Sequence, residues 1–158
     1  MSTRSTLTIK TDTTTINFYR HMDGYVAEAG NTLLHLLDKV VNAKNAWQHP
    51  AIKLAEEIMK QQYEAREHRP AAPIYELTDN PADHSDREYH YNVEFFTPEL
   101  IHIEVFEWVY GKQGGQIFGG NFEQYKDFVA KELAEQDKRI KAYEEKIAQE
   151  KQQAKVGA

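Results

Sequence analysis

The stretch that decides the fold is "ELIHIEVFEWVYG", Glu99 to Gly111. Its side chains alternate. Ile101, Ile103, Val105 and Val109 fall on one side, and His102, Glu104, Phe106, Trp108 and Tyr110 fall on the other. Two-residue alternation in β-branched and aromatic residues marks a strand with two unlike faces. Such a strand needs strand neighbours and an apolar cover on its aliphatic side, which the rest of the chain must supply.

Working outward, "REYHYNVEFF" (87–96) alternates in the same way and is set off by Thr97-Pro98. Tyr89, Tyr91, Val93 and Phe95 oppose Glu88, His90, Asn92 and Glu94. A strand around "PIYEL" precedes it, across the polar, acidic loop "TDNPADHSD" (78–86). At the start of the chain, "STLTIKT" and "TTINFYRH" flank Thr11-Asp12-Thr13 and read as a β-hairpin, with Tyr19 and His21 opposite Ile16 and Phe18. Asp23-Gly24 ends the second of these strands, in a turn where glycine is tolerated best.

The cover comes from two helices. Leu33, Leu36, Leu37, Val40 and Val41 recur at helical spacing, and "NAKNAWQHP" interrupts them. Pro50 suits a second helix start, with Leu54, Ala55, Ile58, Met59 and Tyr63 as its stripe, and "HRPAAP" stops it. After the central strand, "GKQGGQIFGG" reads as a turn-rich connection with a short strand at Gln116 to Phe118. Its glycines lack phosphate-loop spacing. Asn121 then caps a helix running to about Gln152, whose seam is Val129, Leu133, Gln136, Ile140, Tyr143 and Ile147. Thirty helical residues span about 45 Å, more than a small domain is wide. The order is ββααβββα: an α+β fold with an antiparallel sheet of about five strands, two helices on one face and a long C-terminal helix. Residues 1–120 form the α+β body. Residues 121–158 are a helix of the same domain, whose outer part frays or pairs with another helix.

Composition narrows the function classes. The 158 residues fit one domain with a real core. No apolar run reaches membrane-spanning length, no signal-peptide pattern opens the chain, and cysteine is absent. These features predict a cytoplasmic protein without membrane contact, disulfides or thiolate chemistry. The net charge is −6, and residues 131–155 carry a local +1, so the acidity lies earlier. An acidic surface disfavours direct nucleic-acid binding and favours a protein partner with a basic groove.

"TRS" (Thr3 to Ser5), "YRHMDGY" (Tyr19 to Tyr25) and Gly30 carry a resemblance. Over roughly residues 3–110 the chain is similar to a small uncharacterised family of bacteria, archaea and phages. That family has an N-terminal T-R-S hairpin, a Y-R-x-x-D-G-Y segment, and later an "IY" segment before a Y-x-Y strand. The resemblance implies a turn-to-helix entry built by Arg20, Asp23, Gly24 and Tyr25. It implies no catalytic residue, because the family has no established activity. "VAEAG" replaces the family's Pro-containing entry after the turn.

Two places draw a functional reading. The Arg20/Asp23/Tyr25 corner offers an anion site at a helix start, set against a structural role in which Asp23 pairs with Arg20 or caps the helix. The second is the mixed aromatic face of the sheet, carrying Tyr19, His90, His102, Glu104, Phe106, Trp108 and Tyr110, which suits a protein interface. Against that reading, the long helix or the loop at 78–86 would cover the rings as ordinary core. His90 beside His102, with Glu104, would make a Zn²⁺ set. Interface histidines account for the same positions, so no metal and no cofactor is assigned. No nucleophile–base–orienter set is legible. The expected function is a non-enzymatic, homo-oligomeric interaction module, in its sharpest form an acidic phage-type inhibitor of a host nucleic-acid-handling or defence complex. The alternatives are a small enzyme or ligand-binding protein using the corner, and a homodimeric structural protein.

Overall fold

The computed structural model describes residues 3–43 and 47–157. Strands β1 (Ser5–Lys10) and β2 (Thr15–Arg20) form the expected hairpin, held at its turn by Thr11 Oγ1, which accepts from the amides of Thr13 and Thr14. A π-helical turn, Val26–Gly30, leads into α1 (Asn31–Val41). Helix α2 (Pro50–Met59) follows, with Pro50 in its first turn and His49 Nδ1 accepting from the amide of Ala51. Next come β3 (Tyr75–Leu77), β4 (Tyr89–Phe95), β5 (Ile101–Val109), β6 (Lys112–Gly120) and α3 (Phe122–Val156).

The sheet has six strands in the order β3-β2-β1-β4-β5-β6 and is mixed. The pair β1·β4 is parallel, while the other neighbours are antiparallel. This corrects the expectation of about five antiparallel strands on two counts. The sixth strand arises because Tyr110 and Gly111, both at positive φ, close a tight hairpin, so that Lys112–Gly120 pairs along β5 instead of looping. As the outermost strand, β6 tolerates the glycines that a central strand would not. The parallel pair follows from topology. Strands β1, β3 and β4 run the same way, so the chain leaving β3 must cross β2 and β1 before β4 can begin.

All three helices, where two were expected, bury their stripes on one face, because Tyr125 and Val129 carry the first turns of α3 into the same core. Leu33, Leu37 and Val40 of α1, Ala51, Leu54 and Ile58 of α2, and Tyr125 and Val129 of α3 meet Leu7, Ile9, Phe18, Tyr91, Val93, Phe95, Ile103 and Val105. Met59 and Val41, assigned to apolar stripes from spacing, point outward, and Tyr63 lies beyond α2. Glu57 is buried at the edge of α2 and held by the ammonium groups of Lys39 and Lys60, which keep its carboxyl below the usual range. Asn121 and Gln124 form a capping box at the start of α3. The helix continues well past the body: after Gln136 every residue through Gly157 except Ile147 is exposed. No helix among the described residues is long and apolar enough to cross a membrane.

Candidate functional site

The residues of the turn from Arg20 to Tyr25 form a packed joint. The Arg20 guanidinium is buried and donates through Nε to the Met22 carbonyl (2.6 Å) and through Nη1 to the Tyr75 hydroxyl (2.9 Å). Asp23 sits at φ 51, and the following helical turn has no side-chain cap, so Asp23 neither pairs with Arg20 nor caps. Gly24 lies against the start of β1. Its amide donates to the Thr3 carbonyl, and its own carbonyl accepts from the Tyr91 hydroxyl (2.8 Å). Tyr25 is half-buried, and burial with nearby Glu28 and Asp23 raises its phenol above the ordinary value. Gly30 faces the Tyr125 hydroxyl, which donates to its carbonyl (2.7 Å). The open cleft nearby is lined by Met22, Tyr63, Glu64, Arg66 and Arg69, and not by Arg20, Asp23 or Tyr25.

The other face of the sheet receives none of α1, α2 and α3. Two-residue alternation places Thr6 and Thr8 of β1, Asn17 and Tyr19 of β2, His90, Asn92 and Glu94 of β4, and His102, Glu104, Phe106 and Trp108 of β5 on that side. Half of it is nevertheless covered. The crossing from β3 to β4, residues 78–88, lies over β2 and β1 as a strap. His84 stacks on Tyr19 with ring centroids 4.0 Å apart, and the Tyr19 hydroxyl donates to Asp86 Oδ2 (2.9 Å). Asn17 donates to the Asp79 carbonyl, and Arg4 pairs with Asp86. Tyr19 is therefore 5% exposed and is not part of an open surface. Burial and the Asp86 bond push its phenol up to about 12.

Over β4 and β5 the face stays open. His90, His102, Glu104, Phe106 and Trp108 are all partly exposed there. Tyr110, expected on this face, sits instead at the β5–β6 hairpin tip and is 99% exposed, because its positive φ takes it out of the strand. The bulges between Val105 and Trp108 also turn Val109 outward. His90 lies opposite Phe106 and His102 opposite Glu94, so the two histidines are separated along the strands and do not converge. Among the described residues no group of three His, Asp or Glu side chains is placed to hold a metal ion.

Where the strap meets β4, Arg87 turns back onto the sheet. Its guanidinium carbon lies 3.6 Å from the centre of the Trp108 ring, and its Nη1 donates to Thr6 Oγ1 (2.9 Å). Thr6 is fully buried, and its oxygen also lies 2.8 Å from His90 Nδ1. While accepting from Arg87, the Thr6 hydroxyl has its own proton free to donate to His90 Nδ1, and in that tautomer the His90 proton lies on Nε2. Burial, then the charge of Arg87, lowers His90 to about 4, which keeps the ring neutral. Trp108 Nε1 is buried without a hydrogen-bond partner. Sequence reasoning placed Trp108 and His90 on this face and missed Arg87 and Thr6, whose polar side chains carry no signal of burial. Comparison with protein-family models, with curated proteins and with solved structures finds no match.

Proposed function

We propose that the protein is a non-enzymatic interaction module that docks a basic protein surface against the open half of its sheet and the adjoining strap. The observation carrying this reading is the charge of that region. Residues 75–111, which span β3, the strap, β4 and β5, contain nine Asp and Glu against the single Arg87, a net −8 in a chain whose total is −6. Phe106, Trp108 and two histidines lie among these acids as half-exposed contact groups. A groove evolved to hold a phosphate backbone is the kind of basic surface such a field would occupy, which is the form an inhibitor of a nucleic-acid-handling or defence complex would take.

Affinity capture with the full chain tests it, comparing wild type with Glu94→Lys/Glu104→Lys and with Trp108→Ala. A partner whose retention falls with added salt and with the face variants supports the reading. A partner retained equally by folded face variants refutes it.

A second reading rests on α3. Ile140 and Tyr143 are 48% and 64% exposed on the projecting arm, in line with the buried Val129. An unsupported helix of some twenty polar residues is marginal in water, so pairing of two copies would stabilise it. Light scattering on Ile140→Glu/Tyr143→Glu separates the cases: a monomer where the wild type is a dimer supports pairing, and an unchanged mass refutes it.

A further inference from the structure

The environment of Arg87 poses a physical problem that the packing of this chain leaves unsolved. The residue is 5% exposed and carries a full positive charge. No Asp or Glu among the described residues forms an ion pair with it, and burial is the cause that lowers its pKa. Its hydrogen bonding amounts to one neutral hydroxyl, Thr6 Oγ1. A largely buried charge without a counter-charge is unfavourable, and a bound acceptor would relieve it. Beside Arg87, Trp108 Nε1–H is buried and unpaired, and His90 carries Nε2–H as a further donor in the tautomer that accepts from Thr6 at Nδ1. Arg87 and Trp108 therefore stack beside His90 at the edge of the open face, with donors that meet no acceptor among the described residues beyond Thr6.

We propose that Arg87, Trp108 and His90 form a receptor for one carboxylate group. The shape of the cluster favours this acceptor over phosphate. The Trp108 ring blocks a face of the guanidinium, so a ligand meets its edge, where a planar carboxylate makes paired in-plane bonds. With a single fixed cation to set against a region of net −8, a singly charged anion is opposed less by that field than a doubly charged one. Neutral His90 adds a donor without adding charge. The carboxylate arrives either as a small free acid or as an acidic side chain on a peptide segment. The inference goes beyond the docking proposal, which rests on the acidic surface and needs no carboxylate.

The indole resonances give the test. The chain has two tryptophans, and Trp47 is fully exposed, so its indole N–H serves as an internal control. Full-length ¹⁵N-labelled protein is titrated with acetate, with a capped peptide amide bearing one Glu, and with phosphate and chloride at matched ionic strength. A saturable shift of the Trp108 indole cross-peak with acetate, absent for Trp47, is the expected result. A peptide that saturates at lower concentration than acetate identifies a protein-borne carboxylate, and equal concentrations identify a free small acid. Arg87→Lys keeps the charge and loses the fork, so half-saturation rises about tenfold. The proposal is overturned if Trp108 does not respond to either carboxylate, if it drifts linearly together with Trp47, if phosphate binds more tightly, or if folded Arg87→Lys responds as wild type does.

Discussion

Replacing Gly24 with alanine tests whether the turn-to-helix corner is a packed joint. An alanine Cβ at this position would stand 2.8 Å from the Arg4 carbonyl carbon, the Ser5 Cβ and the Ser5 nitrogen. Ordinary contact begins near 3.4 Å, so the two segments must part by about 0.6 Å. Neither can do so freely. Ser5 pairs with Arg20 on one side and Tyr89 on the other, and the Gly24 amide and carbonyl are tied to Thr3 and Tyr91. Gly24 does not occupy the left-handed region, so the cost is steric alone. Overpacking of this kind costs roughly 1–3 kcal/mol, and a loosened buried hydrogen bond adds about 1 kcal/mol. At about 2–4 °C per kcal/mol for a domain of this size, a loss of about 3 kcal/mol lowers the melting temperature by about 6–12 °C. Gly30→Ala is the matched control. Its Cβ would meet side-chain atoms, Val26 Cγ1 at 3.1 Å and Tyr125 Oη at 3.2 Å, which can give by tenths of an ångström. Alanine also gains up to about 1 kcal/mol of helix propensity there. Its melting temperature stays within about 4 °C of wild type. Thermal and urea melts of the three proteins decide the matter. A Gly24→Ala protein within about 2 °C of wild type, or a Gly30→Ala protein less stable than Gly24→Ala, would refute the steric account.

Two further outcomes follow from the side of the sheet opposite α1, α2 and α3. His90 is held neutral with a folded pKa of about 4, below its ordinary 6.5, so the unfolded chain binds the extra proton. Its contribution is present above pH 6.5 and is lost as pH falls from there toward 4, with a slope of up to about 1.4 kcal/mol per pH unit. Urea melts at pH 7 and pH 5 therefore converge for wild type and His90→Gln as pH drops, and a constant difference across that range would contradict burial and Arg87 as the causes that hold the ring neutral. Tyr19→Phe removes the hydroxyl that holds Asp86 while keeping the stack on His84. Amide exchange then quickens across residues 78–88 and not in the β1–β2 hairpin, whereas uniform acceleration would mean that the strap is not a separately opening unit.

What the sequence disclosed depended on how local the cause was. The β1–β2 hairpin, the stripes of α1 and α2, and the strands β4 and β5 each follow from spacing within one segment, and each appears where the pattern puts it except at its end, where Val41, Met59 and Val109 turn outward and Tyr63 lies beyond its helix. Strand β6 was underread because its glycines look like turn chemistry. Its pairing comes from two residues, Tyr110 and Gly111, that close the hairpin before it. The parallel β1·β4 pair joins residues more than eighty apart and has no local signature. The docking face was legible as an alternation, and its division into covered and open halves was not. Tyr19 and Trp108 have equivalent positions in their strand patterns, and only the path of the strap separates their fates.

That path also explains why the buried cation lies where it does. A parallel partner for β1 forces the chain to cross the sheet on the side the helices leave bare. A segment rich in Asp, Asn and Ser cannot seal that crossing with apolar contacts. It is pinned instead by polar and stacking contacts: His84 on Tyr19, Asp86 on Tyr19 and Arg4, Arg87 on Trp108 and Thr6. The first two sets are satisfied within the chain. The last is not, because it ends where the strap gives way to open sheet, and there the remaining donors of Arg87, Trp108 and His90 meet the surface on which a partner would dock. The topology that makes the strap necessary thus places an unbalanced charge at the boundary of the open face, and an acceptor from outside the chain is the group that would balance it.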